Sequence, residues 1–439
     1  MSIKYLLTKL TVFTIIANTV NYYQYFQNLL LLLTWKFLEV IMNFIKGFYC
    51  RIFQTALKLA IPMLPYRSPR VVHSVEDVPA LLAERKITRV LVVTDGFLHL
   101  SGKLEPLKKS LKEAGITAVI YDEVVPNPTV WNVEIARDRY LENGCQALIG
   151  FGGGSPIDCA KAVGARIARP DLPIPSMRGI LKILRPIPYL IAVPTTAGSG
   201  SETTLATVIT DDKNFHKFPI SDFPLIPRAA VLDPEMTRSL PQNMTAATGM
   251  DALTHAIEAY IGNSTTRDTR ADALAACQLI AENLEAAWAD SSNMEARANM
   301  LNAAFYAGRA FTKSYVGYCH AVAHSLGGRY NIPHGLANAV VLPYILSAYG
   351  HAVDKKALDI CEAMGIEATE HDAAMLLVDR ICRMNARMGI PTKLAGILEE
   401  DIPKLARLAD KEANPLYPVP MLMNAKELEQ FYYDVMEVS

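Results

Sequence analysis

Five side chains, Asp251, His255, His320, His324 and His334, are where this sequence could do chemistry. They lie in two segments, GMDALTHAIEAY (249–260) and YCHAVAHSLGGRYNIPHG (318–335). The chain has 9 histidines, and three of them fall in the second segment. Asp251 and His255 are spaced i, i+4, which puts both on one face of a helix. His320 and His324 repeat that spacing, and His334 follows a turn containing Pro333. One carboxylate and several imidazoles converging from two helices would suit a borderline divalent ion such as Fe²⁺ or Zn²⁺. Taken singly, each histidine is an ordinary residue on a helix face. Taken together they call for a shared partner, because burying so many titratable groups without one is costly.

The elements that must position these residues fall into two halves. From residue 67 the chain alternates strands and helices. RVLVVTD (89–95), TAVIYD (117–122), QALIGF (146–151), PYLIAVP (188–194) and AAVLD (229–233) are short apolar runs, and stretches such as 102–114 and 129–142 between them are helical in pattern. That alternation predicts a mostly parallel sheet with helices on its faces. After Pro241 the strands stop, and 269–288, 295–312, 354–364 and 371–388 show helical periodicity only. The reading is therefore an α/β domain over 67–240 and an all-helical domain over 241–439, with the boundary near 234–244.

Two loops in the first half could hold a cofactor. GGGSPID (152–158) follows the strand that ends at Phe151 and opens a helix. Backbone N–H groups there can approach a phosphate, and the helix N-terminus adds partial positive charge. The segment is not a strict G-x-G-x-x-G, and the best acidic candidate for a ribose, Asp95, lies upstream rather than downstream. A carboxylate at Asp95 would accept from both ribose hydroxyls and repel a 2′-phosphate. PTTAGSGSETT (194–204) places small hydroxyl residues and glycines directly after a strand, which suits contact with a flat ring or a ribose.

Composition narrows the function classes. At 439 residues with 51% hydrophobic residues, the chain can bury two cores, and a net charge of −1 provides no global field for nucleic acid. The 7 cysteines include no Cys-x-x-Cys pair, which favours reduced thiols in a cytoplasmic setting. Residues 1–66 differ from the rest. They carry Lys4, Lys9, Lys36, Lys46, Arg51 and Lys58 against one acid, Glu39, and no charge from Leu10 to Trp35. Polar residues interrupt that run, so the expectation is an interfacial helix that associates with a membrane rather than a uniform span. A helical arm docked on the protein itself, or translation starting at Met63, would also account for the composition.

The motifs PNPT (126–129), GGGSPID, PTTAGSGSE (194–202), DP (233–234), GMDALTHAIE (249–258) and HAVAHSLGGRYNIPHG (320–335) together resemble the iron-containing (type III) alcohol dehydrogenases from about residue 67 to the C-terminus. The resemblance implies metal ligation by Asp251, His255, His320 and His334. It implies that His324 lies near the nicotinamide and substrate, where it is the candidate for proton relay. It further implies preference for NAD through Asp95, pyrophosphate contacts at Gly153, Gly154 and Ser155, and other cofactor contacts at Asn127, Thr195, Thr196, Thr204, Val208 and Lys217. The expected activity is hydride transfer between a primary alcohol or aldehyde and NAD(H), in a homodimer or higher oligomer, with the site in the cleft between the two domains. Glycerol dehydrogenases and dehydroquinate synthase share the fold, so a polyol oxidoreductase or another metal- and NAD-dependent reaction is the alternative. His334 and the PTTAGSGSE loop favour the alcohol dehydrogenase branch. A membrane-tethered scaffold would leave the intact ligand and cofactor motifs without a purpose.

Overall fold

The apolar runs of the first half become parallel strands because they are covered on both faces. The computed structural model describes residues 42, 44–213 and 217–437. Gln54–Ser439 forms one compact unit that holds every element below. Its strands are β1 (Arg70–Val72), β2 (Arg89–Val93), β3 (Thr117–Tyr121), β4 (Ala147–Gly152), β5 (Gly179–Ile180), β6 (Tyr189–Pro194), β7 (Ala206–Thr210), β8 (Lys217–Ser221) and β9 (Ala229–Val231). Six form an all-parallel sheet in the order β1-β9-β6-β4-β2-β3. Side chains alternate between its faces. Leu91, Val93 and Leu148 enter one apolar layer, while Val90, Val92 and Ile149 enter the other. Every residue of the central strand β4 is buried.

All five strands expected from the sequence are present. β1 and a second, three-stranded sheet (β5-β8-β7) were not anticipated. β8 contains Pro219, which weakens a strand reading. The structure accommodates it because β5 pairs only with Ile220 and Ser221, leaving no paired strand opposite Pro219 on that side.

Chain direction in the large sheet sets the ligand crevice. The connection from β2 runs outward to β3, whereas that from its other neighbour β4 runs the opposite way to β6, so the strand order reverses between β2 and β4. The crevice at the carboxyl ends of strands flanking such a switch is where open α/β sheets bind ligands. Asp95, the glycine turn after β4 and the 194–204 loop after β6 lie at that edge, following three neighbouring strands.

Beyond β9 the described residues form helices. α1 (Gly154–Ala168) follows the glycine turn, and α2 (Gln242–Ile261) opens the helical half. α2 is buried almost all round, including its polar Asp251, Thr254, His255 and Glu258, so it is a core helix rather than a surface one. It packs against α3 (Arg267–Ala289), α4 (Met294–Ser314) and α6 (His334–Tyr349). α5 (Tyr318–Tyr330) precedes α6 and ends at Asn331, whose left-handed backbone (φ 55) terminates the helix before Pro333. α7 (Ile402–Ala413) packs on α5.

The membrane-associated leader read from residues 1–66 falls mostly outside the described residues. Residues 42 and 44–60 are helical, and among the described residues no helix is long and apolar enough to cross a membrane.

Candidate metal centre and cofactor crevice

α2, α5 and α6 bring four expected ligands together. Asp251 and His255 come from α2, His320 from α5 and His334 from the first position of α6. One ligand atom from each lies within 4.8 Å of the others. The His255 ring stacks on that of His320 at 4.4 Å and on Phe311 at 4.1 Å. Asp251, His255 and His320 are buried, and His334 is partly exposed.

The surroundings hold these groups in the ligating state. Burial pushes His255 down to about 3 and His334 to about 4, and it holds His320 well below the ordinary imidazole range. Burial alone would raise the Asp251 carboxyl, but the charges of His334, His255 and His320 outweigh it and hold it below the usual range. Near neutrality the cluster is one carboxylate and three neutral imidazoles, the protonation state that metal binding requires. Nδ1 of His255 and Nε2 of His320 are buried without a hydrogen-bond partner. Leaving such atoms unpaired costs about 1–3 kcal/mol each, which a cation would offset. The residues present therefore fit a divalent ion.

Two supporting residues were missed in the sequence reading. Glu258, on α2, accepts from the backbone N–H groups of Gly317 and Cys319 at 2.8 Å each. It also pairs with His320 Nδ1 at 2.6 Å. That bond fixes the ring with Nε2 toward the cluster, as outer partners of metal-bound histidines do. A Cβ at Gly317 would stand 2.6 Å from Glu258 Oε1, so the glycine makes room for the carboxylate. Asn338 donates to Asp251 Oδ1 at 2.7 Å and lies 3.1 Å from His334 Nε2. Both signals were in the spacing: Glu258 is i+3 from His255 and Asn338 is i+4 from His334, on the ligands' own helix faces.

His324 lies beside the cluster. Its ring stacks on His334 at 4.9 Å with an interplanar angle of 16°. Its Nδ1 is 2.6 Å from Glu412 Oε1 on α7. Burial would lower the His324 pKa, but the charge and hydrogen bond of Glu412 raise it above the ordinary value. The positive charge of Lys217 reaches both His324 and His334.

The expected cofactor residues line the sheet edge in different ways. Asp95 caps a short helix, its Oδ1 accepting from Leu98 N at 2.9 Å. Gly152 has φ +149, and a Cβ there would strike Pro156 at 2.5 Å, so only glycine makes this turn. Cβ atoms on Gly153 and Gly154 would lie 3.3 Å from Thr196 and Ser199, which shows how closely the 194–204 loop approaches the α1 N-terminus. Ser155 Oγ accepts from Asn127 N at 3.2 Å, and Thr195 N donates to Gly152 O at 3.0 Å. Thr204 turns its hydroxyl inward, 2.8 Å from the buried Lys161 Nζ. Val208 N donates to Asp158 Oδ2 at 2.9 Å, and its side chain is exposed. Phe311 touches His255, whereas Phe305 and Tyr306 lie under the Arg309 guanidinium.

Known proteins resemble this chain over most of its length. A family model described as iron-containing alcohol dehydrogenase matches residues 70–234, and one described as the C-terminal part of the Fe-containing alcohol dehydrogenase family matches 245–436. The 1,3-propanediol dehydrogenase of Citrobacter freundii is 39% identical over 85% of this chain and 97% of the relative. The NAD-dependent methanol dehydrogenase of Bacillus methanolicus is 37% identical over 76% of this chain and 89% of the relative. A crystal structure of 1,3-propanediol oxidoreductase superposes with a TM-score of 0.81 and 36% identity, covering 84% of this chain and 99% of that one.

Proposed function

Because the chain belongs to the iron-containing alcohol dehydrogenase family, we propose that Asp251, His255, His320 and His334 hold its divalent ion, Fe²⁺ or Zn²⁺, and that His324 relays the proton. The protein is an NAD-linked oxidoreductase of alcohols and aldehydes. Its substrate on this reading is a primary alcohol or the matching aldehyde. The cluster of four ligands with two unpartnered buried nitrogens, beside a histidine whose Nδ1 is engaged by Glu412, carries the assignment.

The division of labour follows the chain. Residues 67–240 bind NAD, and 241–439 supply the metal ligands. Asp95 accepts from the adenosine ribose. The backbone at Gly153, Gly154 and Ser155, at the α1 N-terminus, receives the pyrophosphate. Asn127, Thr195, Thr196, Val208 and Lys217 line the rest of the cofactor path, with Thr204 acting from behind through its bond to Lys161. When bound, the ion supplies Lewis acidity toward the substrate oxygen and NAD supplies the hydride chemistry. Glu258 and Asn338 orient the ligands, Phe311 covers the His255 face, and His324 exchanges a proton at Nε2 with the substrate side and with water. On this reading the working form is a homodimer or higher oligomer, which sedimentation measures directly. The leader adds contact with an anionic membrane surface, supported by its excess of Lys and Arg and by the exposed Phe44, Phe48 and Ile52.

The test is anaerobic reconstitution with Fe²⁺ or Zn²⁺, followed by a panel of primary alcohols and aldehydes with NADH and NADPH. His320→Ala is expected to lose metal and turnover together. Full metal occupancy and normal rates in that variant would sink the ligand assignment.

A further inference from the structure

Glu412 is a carboxylate at the metal-site mouth for which the reaction as derived has no use. It sits near the end of α7, and its Oε1 receives two groups: His324 Nδ1 at 2.6 Å and the Tyr417 hydroxyl at 2.8 Å. Tyr417 is 8% exposed, whereas the His324 and Glu412 side chains are 39% and 35% exposed. The pair is therefore partly open to solvent and is backed by a buried tyrosine.

We propose that Glu412, held by Tyr417, is a positioning residue that fixes the tautomer and orientation of His324 for proton transfer. This rests on the reading of His324 as the relay. An ionised carboxylate only accepts hydrogen bonds, so the nitrogen facing it, Nδ1, carries the proton. The neutral ring then presents a lone pair at Nε2, on the side away from α7. That is the nitrogen able to take a proton released during alcohol oxidation and to return it during aldehyde reduction. The ring that has taken the proton is a cation against a carboxylate, a charge-assisted pair of the stronger kind. Stacking on His334 restrains the ring plane, and the Glu412 bond selects between the two flipped orientations that stacking alone would allow. This is the arrangement of a base oriented by a third group. The competing role is a strut between α5 and α7, which would be indifferent to the chemistry of residue 324.

A double-mutant cycle on the full-length, zinc-reconstituted enzyme separates the two roles. The variants are Glu412→Ala, Glu412→Gln, His324→Asn and the Glu412→Ala/His324→Asn pair. Each is assayed for metal content, KM for the alcohol, and the single-turnover rate of NADH formation. Glu412→Ala is expected to slow the single turnover about 10- to 100-fold, within the range of acid–base contributions. KM and metal content should be little changed. Glu412→Gln, which still accepts from Nδ1, should lose less, and the double variant should be no slower than His324→Asn. Long-range ¹H–¹⁵N spectra of histidine-labelled enzyme should show His324 protonated at Nδ1 in the wild type and a tautomer mixture in Glu412→Ala. An unchanged rate in Glu412→Ala, or an equal loss in the His324→Asn background, overturns the proposal. So does an unchanged tautomer. A wild-type rate in His324→Asn overturns instead the relay reading beneath it, and the spectra still report whether Glu412 sets the ring.

Discussion

Glu258 shows how much of the metal centre is decided one bond away from the ligands. It is fully buried, its pKa is raised to about 7 by burial, and it accepts from two backbone amides and from His320. Glu258→Gln would place an amide NH₂ against groups that are all donors, so at least one contact turns repulsive. Metal affinity is expected to fall about 10- to 100-fold, as for other outer partners of ligating histidines. A chelator-competition titration would read this, and wild-type affinity would show that His320 needs no fixing. Asp95 is the second residue, and its proposed role rests on a single charge. Asp95→Gly is expected to raise NADPH use relative to NADH, because repulsion of a 2′-phosphate is worth on the order of 1–4 kcal/mol at partly screened distances. The loss of its helix cap costs only a few tenths of a kcal/mol for glycine. An unchanged ratio of kcat/KM for the two cofactors would show that Asp95 does not face the ribose.

At the level of elements, α1 and the loop after β6 are joined by a buried ionic network rather than by apolar packing alone. Lys161 is fully buried and donates to Thr204 O, Thr204 Oγ1 and Ala206 O, while Asp158 accepts from Ser201 Oγ and Val208 N. Glu202 lies beside this network, 2% exposed, with Oε1 lacking a hydrogen-bond partner. Burial raises its pKa to about 7, against an ordinary value near 4.5. The folded state therefore holds a proton that the unfolded chain releases between those values. Stability from this group is present below about pH 4.5 and is lost as pH rises through about 7. Glu202→Gln removes the penalty, so its stability should match the wild type near pH 4 and exceed it near pH 8, by up to about 3 kcal/mol. A gap that does not widen with pH would mean that Glu202 stays ionised. The network also shows where the sequence stops being legible. Metal ligands announce themselves by residue type and i, i+4 spacing, and the sheet by its Val- and Ile-rich runs. Lys161 looked like any helix lysine, because its partners are carbonyls from a distant loop. Glu412 gave no signal, since its partner His324 lies in another helix and no periodicity links the two. The small sheet was missed because its order comes from pairing across Asp222 and the 179–184 turn, and Pro219 speaks against it locally.

For the whole molecule, composition and contacts divide the chain at different places. The composition changes near residue 66, but the compact unit carrying the metal and cofactor residues begins at Gln54. Gln54 is 3% exposed, and its Nε2 donates to Tyr417 O at 2.7 Å and to Pro415 O at 3.3 Å. Its own carbonyl accepts from Ser264 Oγ at 3.4 Å, and Ile61 is also buried. The Gln54 bonds end on the segment that places Tyr417, which in turn holds Glu412 beside His324. A truncation after Phe53 should therefore keep turnover and thermal stability while losing membrane partition. One that removes residues 1–62 strips partners from buried carbonyls at about 1–3 kcal/mol each and deletes the Ile61 side chain. That longer truncation should melt several degrees lower and turn over more slowly, with the loss in kcat rather than in metal content. Vesicle flotation, melting curves and alcohol oxidation on the full chain and both truncations would decide it. Equal activity and stability in the two truncated forms would show that Gln54 is dispensable to the site. A full chain that fails to float with anionic vesicles would remove the membrane role from residues 1–53 while leaving the prediction for Gln54 standing.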